Sequence, residues 1–270
     1  MIQGEMYMSI YSDRTAMSLH HMVREMYRKD IELARIVKCS VQMILSGVSA
    51  NSIKDEILKK LIASQNEDGG FVSNTDTIWN AKFLSFFPRY HEAYQAAIQW
   101  LDCHRTERGF GRSSRDMGRI PVTGIAFSLH PSICNEEDLM WLEDLWLSEK
   151  NSLTYKAAYT LMAFKENKYV TKNKFLINEC VQWLMSQQED DGGFAPWKGH
   201  PVGSNIYCTA VSVLGLITYP MKESDDIIQK AYKYILHTQL PTGLWPYHEI
   251  EDGAAWGLRA LTAIEKETVL

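Results

Sequence analysis

The chain has 270 residues, 46% of them apolar, with a formal net charge of −5. That length carries a sizeable core, and the acidic balance argues against a general nucleic-acid binder. The cysteines (Cys39, Cys103, Cys134, Cys180 and Cys208) are scattered and form no CxxC or His/Cys cluster, so neither a disulfide framework nor a structural zinc site is indicated. Reduced thiols in the cytoplasm fit this pattern. The first residues, MIQGEMYMSIYSDR, show no secretory signal, and no apolar run reaches the ~18 residues that cross a bilayer. Peripheral membrane contact is compatible with this, since an apolar substrate would come from a bilayer.

Residues 1–14 are expected to form a flexible lead-in. From there the chain alternates two kinds of helix. Outer, one-sided helices are expected over about 15–28, 53–64, 90–102, 136–147, 172–186 and 225–238. Between them fall inner helices at about 31–46, 77–87, 121–129, 152–165, 205–218 and 252–265. Before Gln188, for example, Leu176, Cys180, Trp183 and Leu184 recur at helical spacing, with Lys174, Asn178 and Gln182 opposite. The stretch IYCTAVSVLGLI at 206–217 is instead apolar nearly all round, as a helix buried on most sides would be. No strand periodicity competes and no Pro- or Ser-rich linker divides the chain. One all-α domain over 1–270 is expected, with its repeats spanning about 31–265.

A short phrase marks the joints. It reads Gln65-Asn-Glu-Asp-Gly69-Gly70-Phe71, then Gln188-Glu-Asp-Asp-Gly192-Gly193-Phe194, then Gln239-Leu-Pro-Thr-Gly243-Leu244-Trp245. A degenerate copy runs from His104 to Phe110, and a copy is missing near Leu147–Asn151. Glycine after a helix allows the left-handed turn that ends it. The glutamine amide can bond free backbone groups at a helix end, and the aromatic ring can pack back over the helix pair. Each phrase leads into an inner helix. The loops 71–78, 110–121, 194–205 and 245–252 should therefore gather around one mouth, where several helix N-termini favour anions.

Alternating helices joined by Q-x3-G-x-[FW] turns resemble the α/α-toroid proteins. The phrase is similar to the QW repeat of squalene–hopene cyclases and to the related repeat of protein prenyltransferase β subunits. The resemblance implies an (α/α)6 barrel of six inner and six outer helices around a central apolar cavity, here as a single barrel. Class II terpene cyclases carry a DxDD motif entering an inner helix, and the stretch Glu249-Ile250-Glu251-Asp252 resembles it. By that likeness Glu251 is the central acid, with Glu249 and Asp252 its partners. Protonating an alkene needs a carboxylic acid kept neutral by burial and by neighbouring carboxylates. The alternative is that these acids cap a helix and complement its dipole. In the same register Asp76 matches Glu249, and Ile78 stands where the acid would be; Asp76 itself reads as a helix cap.

Two further groups bear on function. Arg112, Arg115 and Arg119, close after Arg105 and Arg108, together with Lys198 and His200, place basic groups on two mouth loops. Arginine forks suit phosphate oxygens, so a prenyl diphosphate head at the rim is one expectation and a solvated loop the other. Trp79, Tyr155, Tyr207 and Trp256 on inner helices, with Trp245 and Tyr247 at the mouth, offer ring faces that stabilise carbocations. Neither Asp190–Asp191 nor Asp225–Asp226 continues into a DDxxD motif. No metal site and no cofactor are expected, with Mg²⁺ entering only through a diphosphate substrate. The expected activity is class II-type isoprenoid cyclisation. The alternatives are a non-catalytic toroid holding an apolar ligand or protein partner, and a prenyltransferase-like subunit, for which Asn205, Cys208 and His248 are the nearest match to a zinc set. Oligomeric state is left open.

Overall fold

The computed structural model describes residues 9–149 and 152–268, and its regular structure is helical. The α-helices are α1 (Ile10–Arg28), α2 (Leu33–Leu45), α3 (Asp55–Ala63), α4 (Asn74–Ser85), α5 (His91–Cys103) and α6 (Ile120–Leu129). They continue as α7 (Glu136–Glu149), α8 (Thr154–Glu166), α9 (Leu176–Ser186), α10 (Ile206–Thr218), α11 (Ser224–Thr238) and α12 (Ile250–Thr268). The even-numbered helices pack side by side in the order α2, α4, α6, α8, α10 and α12, and α12 returns to α2 to close the ring. The odd-numbered helices pack outside them, as an (α/α)6 toroid requires.

Several boundaries differ from the expectation, α9 beginning at Leu176 and not at 172, and two of the differences have a local cause. Helix α1 begins at Ile10, inside the segment expected to be flexible, because the Ser9 side chain caps it through the Ser12 N–H. Helix α4 begins at Asn74, because Ser73 caps it and bonds the Asp76 carboxylate in return. Asp76 is thus the partner of a cap and not the cap itself. Of the stretch where a phrase copy is missing, Lys150 and Asn151 lie outside the described residues.

The repeated phrase is a clasp between neighbouring outer helices. The Gln65 amide donates to Gly69 O (2.8 Å) and to Ala93 O in the first turn of α5 (2.9 Å). Gln188 does the same to Gly192 O (2.9 Å) and to Ile227 O in α11 (2.8 Å). Gln239 closes the circle, donating to Thr15 Oγ1 (2.8 Å) and to Tyr11 O (3.3 Å) of α1. At the degenerate copy ion pairs replace the amide: Arg105 and Arg108 both reach Asp138 on α7. Those two arginines belong to the architecture, which leaves Arg112, Arg115 and Arg119 for the mouth.

A second bond ties three of the loops to the helices they enter. The N–H groups of Phe71, Phe110 and Phe194 donate to the hydroxyls of Thr77, Thr123 and Thr209, one turn inside α4, α6 and α10. All three threonines are fully buried. Thr209→Val keeps the shape and strands the Phe194 N–H, so we expect a loss of about 1–3 kcal/mol in urea unfolding. An unchanged midpoint would show that the bond carries no net stability.

Candidate functional site at the mouth of the barrel

The loops and the first turns of the inner helices enclose a cavity of about 900 Å³, within the range of small-molecule sites. Its wall is part apolar, from Val122, Leu153, Val202 and the rings of Tyr155, Tyr207 and Tyr247. The rest is ionic or polar, from Arg112, Arg119, Lys156, His200, His248 and Asp252. Tyr207 and Tyr247 stack at 5.8 Å, and the Tyr207 hydroxyl lies 2.6 Å from that of Tyr159. Burial, and then the neighbouring Tyr159 hydroxyl and the Asp252 carboxylate, push Tyr207 well above the usual phenol range.

Trp256 lies one turn below Asp252 on α12 and closes the floor. Its ring meets Tyr159 at 5.9 Å, Tyr207 at 6.0 Å and Trp79 at 6.2 Å. Trp79 and Trp256 therefore support the floor and do not line the mouth cavity. The expected central apolar cavity is found here as a part-polar cavity at the mouth, with packed aromatic rings beneath it. Trp245 is buried, and its indole N–H donates to Ile235 O (2.8 Å). It belongs to the outer wall, not to the cavity.

The three acids of the E-x-E-D stretch take separate partners. Glu251 is buried and accepts from Arg35 Nε of α2 (2.6 Å), away from the cavity. Asp252 is buried, lines the cavity, and lies 2.9 Å from Lys38 Nζ of α2. Glu249 is half-buried and precedes the helix, its carbonyl accepting the first helical bond from the Gly253 N–H (3.0 Å). The same backbone bond runs from Thr77 to Ser73 in α4. Glu249 thus aligns with Ser73, and Asp252 with Asp76, three residues away from the register expected from the motif. The acid turned toward the cavity is Asp252, where the motif pointed to Glu251.

The basic residues divide in a similar way. Arg112, Arg119 and His200 line the cavity, while Arg115 and Lys198 are exposed outside its wall. Among the described residues no carboxylate lies in ion-pair range of Arg112, Arg115 or Arg119. Lys156 also lines the cavity and is paired with Glu149. Arg35 and Lys38 were missed from the sequence; their only signal was two cations at i, i+3 interrupting an inner helix.

Asn205, Cys208 and His248 all line the same cavity. As a zinc set they fit poorly: the Asn205 amide oxygen caps α10 through the Cys208 N–H (2.9 Å), and burial pushes the Cys208 thiol up to about 11. Among the described residues no group of three His, Cys, Asp or Glu is placed to hold a metal ion, and no helix is long and apolar enough to cross a membrane.

Known proteins give the same architecture. The model of the prenyltransferase alpha-alpha toroid domain matches residues 10–245. The chain is 25% identical over 225 residues to lanosterol synthase of Pneumocystis carinii, covering 76% of this chain but only 30% of that enzyme. The type II terpene cyclase MstE from Scytonema, solved with geranylgeranyl dihydroxybenzoate, superposes with a TM-score of 0.70 at 14% identity, covering 94% of this chain and 98% of that one. The ent-copalyl diphosphate synthase of Streptomyces platensis superposes at 0.61 with 15% identity, covering 86% of this chain and 50% of that one. Structural likeness at these identities speaks for fold. The match over residues 10–245, on a closed ring of inner and outer helices, shows that this chain belongs to the prenyltransferase α/α-toroid domain family.

Proposed function

We propose that this toroid is a class II-type isoprenoid cyclase that protonates an alkene of a polyprenyl substrate in the mouth cavity. The observation that carries the reading is Asp252: a buried carboxyl group facing a cavity walled by tyrosine rings. A proton from Asp252 adds to a terminal alkene carbon and leaves a tertiary cation. A neighbouring alkene attacks that cation and closes a ring, and a final proton loss or water capture ends the cascade. The faces of Tyr155, Tyr207 and Tyr247 stabilise the cations by their quadrupoles. An alkene takes its proton from a neutral carboxylic acid, so the Lys38 contact with Asp252 has to open during turnover. Glu251, joined to Arg35, holds α12 against α2 and supports Asp252 from behind.

The mixed wall favours a substrate with an apolar chain and an anionic head. Arg112 and Arg119 line the rim with no carboxylate in ion-pair range and suit a diphosphate, and Mg²⁺ would arrive with it, since among the described residues no group of three His, Cys, Asp or Glu is placed to hold a metal ion. Incubation with geranylgeranyl diphosphate and with squalene, followed by mass spectrometry, tests the reading through cyclised products. Replacing both Arg112 and Arg119 by alanine is expected to raise KM for the diphosphate at least tenfold and to leave a hydrocarbon substrate unaffected. Equal losses on both substrates would remove the head-group role.

One observation favours a second reading, a non-catalytic toroid that holds an apolar ligand. Both acids of the first turn of α12 are engaged by cations of α2, across the seam that closes the inner ring. Recovery of a bound isoprenoid unchanged, with no turnover of any polyene, would support that reading over catalysis.

A further inference from the structure

The first turns of the inner helices share a register, and it brings a further pair of charges to the mouth cavity. The first backbone bond of α8 runs from the Ala157 N–H to Leu153 O (3.3 Å), as that of α12 runs from Gly253 to Glu249. Thr123 and Thr209 bond Arg119 and Asn205 in the same way in α6 and α10. Three residues on from each acceptor stand Val122, Lys156, Cys208 and Asp252, on four successive inner helices, and all four line the cavity. Lys156 therefore holds on α8 the place that Asp252 holds on α12.

The Lys156 ammonium is paired with Glu149, the last residue of α7, and both residues belong to the cavity wall. Each charge opposes its own helix. A cation in the first turn of α8 and an anion at the C-terminus of α7 both run against the helix dipoles. Nor does the pair stand in for a clasp. The clasps at Gln65, Gln188 and Gln239 join one outer helix to another, whereas this pair joins the end of an outer helix to the inner helix that follows it. The Lys156 side chain is 18% exposed and that of Glu149 37%, so the carboxylate is the partner with room to turn out to solvent.

We propose that Lys156 is a third cation for the anionic head of the substrate, and that Glu149 occupies it as a built-in competitor until that head arrives. The inference rests on the diphosphate reading given above and adds a residue and a control to it. The carboxylate of Glu149 shows that an anion reaches the Lys156 ammonium within this wall. Arg112 and Arg119 line the same cavity. With Glu149 in place, the pair is neutral and the two arginines remain. With Glu149 turned outward, the wall offers three cations, a closer match to the charge of a diphosphate. The exchange brings a hydrocarbon no gain, so the pair favours a charged head over an uncharged one.

Isothermal titration with inorganic pyrophosphate, which has no alkene to cyclise, tests this apart from turnover. Glu149→Gln should bind pyrophosphate at least tenfold more tightly than the native protein. In a Lys156→Met background the same substitution should gain far less, because the cation it uncovers is gone. An unchanged affinity in Glu149→Gln, or an equal gain with and without Lys156, would overturn the proposal. If the native protein binds pyrophosphate and Glu149→Gln binds it no better, the competitor falls and the diphosphate reading stands; if neither binds it, both fall. If Lys156→Met does not fold, crystals of the native protein soaked in pyrophosphate decide. Lys156 bonded to a phosphate oxygen, with Glu149 turned away, supports the proposal, and an intact Glu149–Lys156 pair overturns it.

Discussion

Asp252→Asn is expected to lower formation of a cyclised product by about 10²–10⁴-fold, the range general acids contribute, in a protein that remains folded. Glu251→Gln should lower it far less. Both residues lie in the first turn of α12, both are buried, and both substitutions preserve volume. What differs is orientation: Asp252 faces the cavity, and Glu251 faces Arg35 on α2. Removing the Glu251 charge breaks a pair whose arginine is partly exposed, so its stability cost is discounted for solvent, to about 1–3 kcal/mol. The two variants thus separate chemistry from closure of the ring. Turnover per folded molecule, followed by mass spectrometry beside a circular-dichroism melt, reads both at once. Equal losses of turnover in the two variants would return the central role to Glu251. Full turnover in Asp252→Asn would leave the protonation reading without its acid.

The repeat made the architecture readable, because the helix periodicities and the glutamine–glycine–aromatic phrase are local. The site was less readable, for two physical reasons. The first is register. Phe71 is followed by α4 at Asn74, Phe194 by α10 at Ile206, and Trp245 by α12 at Ile250. With linkers of unequal length, counting from the phrase does not say which residue of the first turn faces the axis. The cavity wall does, since of the three acids it includes Asp252 alone, and the backbone bond from Gly253 to Glu249 gives the register that α12 shares with α4. The second reason is that the partners are non-local. Arg35 and Glu251 are 216 residues apart and meet only because the inner ring closes between α2 and α12. The aromatic residues show the same limit. Helical spacing put Trp79 and Trp256 on inner helices, and only the ring geometry shows them meeting across the interior as a floor.

Gly192→Ala should cost roughly 3 kcal/mol or more in urea unfolding, while Gly199→Ala, seven residues on, should cost only about 1–2 kcal/mol. Both glycines have positive φ, +85° and +78°, so both substitutions carry the same left-handed strain. At Gly199 a Cβ would meet nothing within 4 Å. At Gly192 it would lie 2.7 Å from Lys230 O, a backbone atom of α11 that cannot turn aside as a side chain can. Gly69 meets Ala96 O of α5 in the same way, and Gly243 meets the backbone of Arg14 in α1. The glycine of the phrase is therefore required by close approach as well as by conformation: it lets the loop touch the next outer helix, where the glutamine amide of the same copy also bonds. Equal costs for Gly192→Ala and Gly199→Ala would reduce the glycine to a turn former and remove the close-approach half of the clasp. A larger cost at Gly192 has a consequence for the mouth, because the clasped turn leads directly into the loop that carries His200 and Val202 to the cavity wall. Loosening α9 from α11 should then weaken ligand binding as well as folding, a coupling that isothermal titration on Gly192→Ala would expose.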